Sequence, residues 1–276
     1  MKWAFMTANF VARELNYTNS DDWGKCHQAT VEAFHGPNFA SKFEELIALI
    51  KESGFDAIEL WVAHLDPVRA TPEMIKTALE ILKKYEVEVI SYTAGFGAPG
   101  VTRGEATKIF ETSKMIETPL LAQGFHPDNG PIVKELAEQY NIYFGLENHP
   151  AEKTPQDVID KIDSFTPWVG SAIDTGWFAT HGYNVVKAIH ELKDYLLHVH
   201  LKDVKAVGGH DSCTLGDGIV DIKGVLAALK ELGYEGPVTI EHEPHHHDPA
   251  EDVKESLRRV KAIWAELNSE GNGGVL

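Results

Sequence analysis

The chain has 276 residues, 43% of them apolar, so a full core can be buried, and its two cysteines, Cys26 and Cys213, are too few for a disulfide framework. Acidic residues outnumber basic ones 42 to 25, a formal charge of −17 with no basic stripe, which argues against nucleic acid as a partner. No apolar run approaches a bilayer span and the N-terminus lacks the longer apolar stretch of a signal peptide, so no membrane partner and a reducing, cytoplasmic setting are expected.

Strand-like runs are predicted at 2–8, 57–62, 88–93, 120–124, 143–147, 170–174, 196–201 and 238–241. Amphipathic helical runs are predicted between them, at 42–52, 72–85, 103–116, 131–140, 155–162, 185–192, 222–232 and 249–267. Pro72, Pro131, Pro155 and Pro249 sit at or near first helical turns, where a missing N–H does no harm. Gly54 and Gly233 stand just past helix ends, as left-handed caps should. Eight strand–helix repeats predict an α/β fold, a closed (β/α)8 TIM barrel in one domain over 1–276, with a doubly wound sheet as the alternative. The Gly-rich end, 269–276, is expected to fray.

Two connections are long for such a fold. The segment 9–40, with Tyr17, Trp23, Phe34 and His35, is either a lid over a ligand or a packed surface excursion. The segment 204–219 carries Gly208, Gly209 and His210 ahead of a Leu215-Gly216-Asp217-Gly218 turn.

Four of the predicted strands end alike. Glu147, Asp174, His200 and Glu241 each close an apolar or small run, the first three spaced by 27 and 26 residues. In a closed barrel these C-terminal ends converge on one point. Each residue alone has a plain reading as a cap or loop hydrogen-bonder, but four in matching positions form a ligand set. Three carboxylates so close would repel one another unless a cation were present. Oxygen donors with one imidazole suit Mn2+ first, Mg2+ or Co2+ next, and Zn2+ less well.

Several neighbours have two readings each. His64 and His149 either reach a substrate hydroxyl or bond a neighbouring loop. Lys202 either steadies an oxyanion or pairs with Asp203 or another acid. His198 is expected to be a core hydrogen-bonder, and Glu59 either a buried acid near the site or a partner of a basic group. The run His245-His246-His247 cannot turn all its rings to one ion and reads as a solvated loop.

The motifs Leu146-Glu147-Asn148-His149, Asp174-Thr175-Gly176, His198-Val199-His200-Leu201-Lys202-Asp203 and Leu215-Gly216-Asp217-Gly218 resemble the xylose-isomerase-like TIM-barrel superfamily, the sugar phosphate isomerase/epimerase group. That group also includes inosose dehydratases and endonuclease IV. The resemblance implies one Mn2+-like ion held by Glu147, Asp174, His200 and Glu241. It also implies that Glu147 and Glu241 move a proton next to a carbonyl, through a metal-stabilised enediolate.

A metal-dependent isomerase or epimerase of an unphosphorylated sugar or keto-sugar is therefore expected. The alternatives are a lyase of the inosose-dehydratase or keto-glycoside-cleaving kind, and a non-catalytic sugar-binding barrel. The chain departs from endonuclease IV and several epimerases at Trp177, where they carry a His three residues after the Asp; Trp177 is either a platform for a sugar face or a packed rim. Superfamily members are often oligomers, so the resemblance also allows a homo-oligomer.

Overall fold

The computed structural model describes residues 1–18 and 20–270. Eight parallel strands close into one barrel in sequential order: β1 (Lys2–Met6), β2 (Ala57–Trp61), β3 (Glu88–Thr93), β4 (Leu120–Gln123), β5 (Tyr143–Glu147), β6 (Val169–Asp174), β7 (Leu196–Leu201) and β8 (Pro237–Ile240). The register Lys2↔Pro237 to Phe5↔Ile240 completes the ring between β1 and β8. This is the TIM barrel expected from the alternating pattern, and no open edge remains for a doubly wound sheet.

The outer helices form where local chemistry starts and stops them. Thr71, Thr102 and Thr154 cap the helices Pro72–Tyr85, Arg103–Met115 and Pro155–Ile162, the last two through reciprocal boxes with Glu105 and Asp157. Gly54 and Gly233 take positive φ, 90° and 64°, just beyond the helices Phe39–Glu52 and Ile222–Glu231. Between helices and strands lies a core in which Phe5, Phe43, Phe55, Phe110, Phe144 and Phe178 are all fully buried. The last helix, Ala250–Glu270, continues through residues 269 and 270 of the expected frayed tail, and 271–276 lie outside the described residues.

The segment 9–40 is mostly a packed excursion. It contains a short 3-10 turn, Arg13–Leu15, and an α-helix, Trp23–Phe34. Phe34 is core, and the His35 ring accepts the Asp66 N–H at 2.8 Å. Of its four aromatic residues named above, Trp23 alone lines the central cavity.

The segment after β7 folds back as a small antiparallel ribbon, Asp203–Val204 with Ser212–Cys213. Asp203 anchors it by accepting N–H bonds from Gly216, Gly218 and Val220, each at 2.9 Å. Among the described residues no helix is long and apolar enough to cross a membrane.

Candidate metal centre and cavity

The four strand-end residues converge. One ligand atom each from Glu147, Asp174, His200 and Glu241 can be chosen so that all lie within 4.8 Å of one another, and all four residues are buried. The strand register explains this: Asp174 pairs with His200 directly, and Glu147 with Ala172 one step below Asp174 on its own face. Glu241 follows the last strand residue, Ile240, and its N–H donates to Leu201 O at 3.1 Å, which brings it beside β7. His200 Nδ1 lies 2.9 Å from Glu147 Oε1 and 3.0 Å from Glu241 Oε2.

Polar latches hold these strand ends in place. The Asn148 side chain bonds both backbone groups of Asp174, donating to its carbonyl at 2.9 Å and accepting its N–H at 2.8 Å. Thr175 Oγ1 donates to the carbonyl of Lys202 at 2.7 Å and accepts its N–H at 2.8 Å. Asn9 closes the ring, donating to Ile240 O at 3.1 Å and accepting His242 N–H at 2.8 Å.

Glu59, from β2, stands beneath the cluster. Its carboxylate accepts from His200 Nε2 at 3.1 Å and meets His198 Nε2 at 2.6 Å, with all three residues fully buried. Burial works against charge on Glu59, and the His200 and His198 rings beside it outweigh that and hold its carboxyl well below the usual range. Burial likewise opposes charge on His200, and Glu59 and Glu147 outweigh it and raise the imidazole well above its ordinary value. Glu59 is therefore a partner of basic rings lying next to the site, and His198 is the core hydrogen-bonder that the sequence suggested.

Lys202 is buried and lines the cavity, 2.7 Å from Glu241 and 3.1 Å from Glu243, with Asp174 at 3.8 Å. Its partners are thus acids of the site, and Asp203 is committed to the ribbon. Burial pushes Asp174 up to about 7 against the pull of Lys202, with Glu241 and Glu147 adding to the rise. Burial raises Glu243 to about 7 as well. Glu241 goes the other way: burial opposes its charge, and Lys202 and His200 hold it well below the carboxylate range.

The donor set fits a divalent cation. Asp174 Oδ2 is buried without a hydrogen-bond partner, and Glu241 Oε2 is buried with only the His200 ring nitrogen near it, at 3.0 Å, inside a cluster of three carboxylates. One bound cation would satisfy both atoms.

Above the cluster opens a cavity of about 680 Å3. Trp23, Trp61, Thr93 and Gln123 line it on the side of the first four strands. His149 lines it too, its Nδ1 donating to Glu147 O at 2.9 Å and its Nε2 3.7 Å from Glu147 Oε2.

Trp177 also lines the cavity, its N–H donating to Asp174 Oδ1 at 2.9 Å. Its indole is stacked at 3.4 Å between centroids on His210, so one face of the expected platform is covered from within the chain. His64 does not line the cavity: it is 2% exposed, packed on Phe34 and Trp61, with Nδ1 3.1 Å from Thr7 Oγ1. The short 3-10 turn Val62–His64 carries it past the end of β2, where it meets the neighbouring turn at Thr7, the second of its two readings.

Glu243 and His210 are cavity residues that reasoning from strand ends missed. Both lie in connections, where strand parity says nothing about direction.

Residues 131–263, the stretch that carries all four strand-end residues, match the family model described as xylose isomerase-like TIM barrel, the superfamily that the motifs resemble. An uncharacterized protein of Methanocaldococcus jannaschii is 26% identical over 234 residues, covering 70% of this chain and 76% of its own. A crystal structure of a D-tagatose 3-epimerase-like protein superposes with a TM-score of 0.69 at 21% identity, covering 96% of this chain and 99% of that one. The structure of IOLI protein with a bound zinc atom gives a TM-score of 0.69 at 17% identity, covering 97% and 99%. The two solved structures establish the fold of this chain as theirs.

Proposed function

We propose that the chain is a divalent-metal-dependent isomerase or epimerase of an unphosphorylated sugar or keto-sugar, working by proton abstraction next to a carbonyl. The observation that carries the reading is a pair of buried carboxylates, Glu147 and Glu241, set 2.9 and 3.0 Å from the same His200 nitrogen at the floor of a roomy cavity. Similarity in fold to an epimerase-like protein and to a zinc-binding one supports the class.

Glu147, Asp174, His200 and Glu241 would hold the ion. Oxygen donors favour Mn2+, with Mg2+ or Co2+ next; the zinc reported for IOLI keeps Zn2+ among the ions to be tried. When bound, such an ion polarises a substrate carbonyl and so acidifies the neighbouring C–H.

The protein's own groups do the rest. One of Glu147 and Glu241 accepts the proton from carbon, and the other returns a proton to the adjoining position or to the opposite side of the same carbon. Lys202, 2.7 Å from Glu241, keeps that carboxylate ionised and ready to accept. Trp23, 40% exposed, offers apolar surface to a sugar face, and His149 stands where it can bond a hydroxyl.

The substitution Glu147→Gln tests the reading. It should abolish incorporation of solvent deuterium into substrate across a panel of ketoses, inososes and 3-keto-glycosides with Mn2+ supplied. A fully active variant would overturn the mechanism.

The size of the cavity favours one second reading, a lyase acting on a keto-glycoside. At about 680 Å3 it falls within the range of about 300–1,000 Å3 typical of pockets that enclose drug-sized ligands, room for more than one ring. The first proton transfer is shared, after which a β-oxygen leaves. Product mass separates the two, since isomerisation leaves it unchanged.

A further inference from the structure

A second group of metal-binding side chains converges where the chain leaves β8. His242 is 2% exposed, His247 lies in the following loop, and Asp252 sits in the first turn of the last helix. His242 Nε2 and His247 Nε2 lie 3.3 and 2.9 Å from one and the same oxygen, Asp252 Oδ2, and the three donor atoms lie within 4.8 Å of one another. Tetrahedral zinc with bonds of about 2.0–2.1 Å holds neighbouring ligand atoms about 3.3 Å apart. The two imidazole nitrogens already stand close to that spacing from the carboxylate oxygen.

The surroundings orient the donors. His242 Nδ1, on the far side of its ring, is 2.9 Å from Ser212 Oγ, which also accepts Glu243 N–H at 3.2 Å. A ring that donates its Nδ1 hydrogen there keeps its lone pair on Nε2, facing His247 and Asp252. Asp252 Oδ1 accepts the Thr214 hydroxyl at 3.3 Å, which leaves Oδ2 for the two imidazoles. The adjacent histidines take no part: His245 turns to Ser20 and His246 to Asp21.

We propose that His242, His247 and Asp252 form a second divalent-metal site of the zinc class, independent of the strand-end cluster and sharing no ligand with it. Two imidazoles and one carboxylate are a zinc-like set that leaves a fourth position for water. Bound metal pins the loop carrying Glu243 and His247 to the last helix, at the rim of the cavity that both residues line.

The test is a titration of the metal-stripped full chain with Zn2+ alone, followed by calorimetry and by thermal unfolding. The expected result is two zinc ions per chain, falling to one in His247→Ala and in Asp252→Asn. His247 has 57% of its side chain exposed, so its removal leaves packing intact.

The double variant Glu147→Gln/Asp174→Asn should keep one zinc and still melt higher with zinc present, a gain lost when His247→Ala is added. A single zinc in the wild type that disappears in the double variant would overturn the proposal. So would a second zinc that survives both His247→Ala and Asp252→Asn. A single zinc that survives the double variant and vanishes with His247→Ala upholds this site and instead sinks the metal reading of the barrel mouth.

Discussion

Glu59 grips His200 from below: the carboxylate meets Nε2 at 3.1 Å, on the opposite side of the ring from Nδ1, which faces Glu147. A ring that donates its Nε2 hydrogen to a carboxylate presents a more basic Nδ1 lone pair in a fixed direction. The variant Glu59→Gln keeps the shape and loses the charge. Its affinity for Mn2+ should fall about 10- to 100-fold by calorimetric titration, in line with other carboxylate partners of metal-binding histidines. An unchanged affinity would show that the ring needs no such support.

Lys202 is the charge that lets Asp174, Glu241 and Glu243 share one buried space. Replacing it with Met leaves the acids uncompensated, and breaking a buried ion pair on one side costs about 3–5 kcal/mol. Urea unfolding of Lys202→Met without metal should show a loss of that order. Mn2+ should restore more stability to the variant than it adds to the wild type, because the cation then has the larger imbalance to offset.

His64 makes acid stability testable away from the site. Burial lowers its pKa to about 3, from 6.5 for the free side chain. Below 6.5 the unfolded chain takes up a proton that the folded chain refuses, so the contribution of His64 is whole above that pH. It is then lost as pH falls toward 3, at up to about 1.4 kcal/mol per pH unit. The drop in unfolding free energy between pH 7 and pH 5 should be smaller in His64→Gln than in the wild type. Equal drops in the two proteins would show that His64 takes its proton while folded.

Gly145 permits the close approach of β5 and β6 below the strand-end cluster. A Cβ there would meet Ala172 Cβ at 2.9 Å and Ala172 N at 3.3 Å, with rigid strand on both sides. Gly145→Ala should therefore destabilise the barrel by about 1–3 kcal/mol, the usual cost of overpacking. It should also weaken Mn2+ binding, since Glu147 and Asp174 ride on the two strands being parted. A variant as stable as the parent would show that the strands yield.

Much of this was legible in the order of residues, because period and punctuation act locally. The strands Glu88–Thr93, Tyr143–Glu147 and Leu196–Leu201 fall where alternation and flanking turns put them. The helix Trp23–Phe34 escaped notice because its buried positions include Cys26 and Thr30 beside Val31 and Phe34, a weak apolar stripe.

The surroundings of Lys202 escaped for another reason. Alternation along β7 puts Lys202 on the side of His198 and His200, but the strand ends at Leu201 and the acids it meets, Glu241 and Glu243, lie past the end of β8. His64 shows the same limit, since a 3-10 turn stands between it and the end of β2 at Trp61. Directions inside a strand can be read from sequence, whereas the partners met past its end depend on contacts across the fold.

All four metal-binding candidates of the mouth come from the second half of the cylinder, and the first half touches them through Glu59. What the first half does supply is the facing wall, with Trp23, Trp61, Thr93 and Gln123. The cavity wall is thus shared by both halves, while the four candidate ligands belong to one. Residues before position 124 can therefore change without altering a candidate ligand, so long as Glu59 beneath His200 is kept.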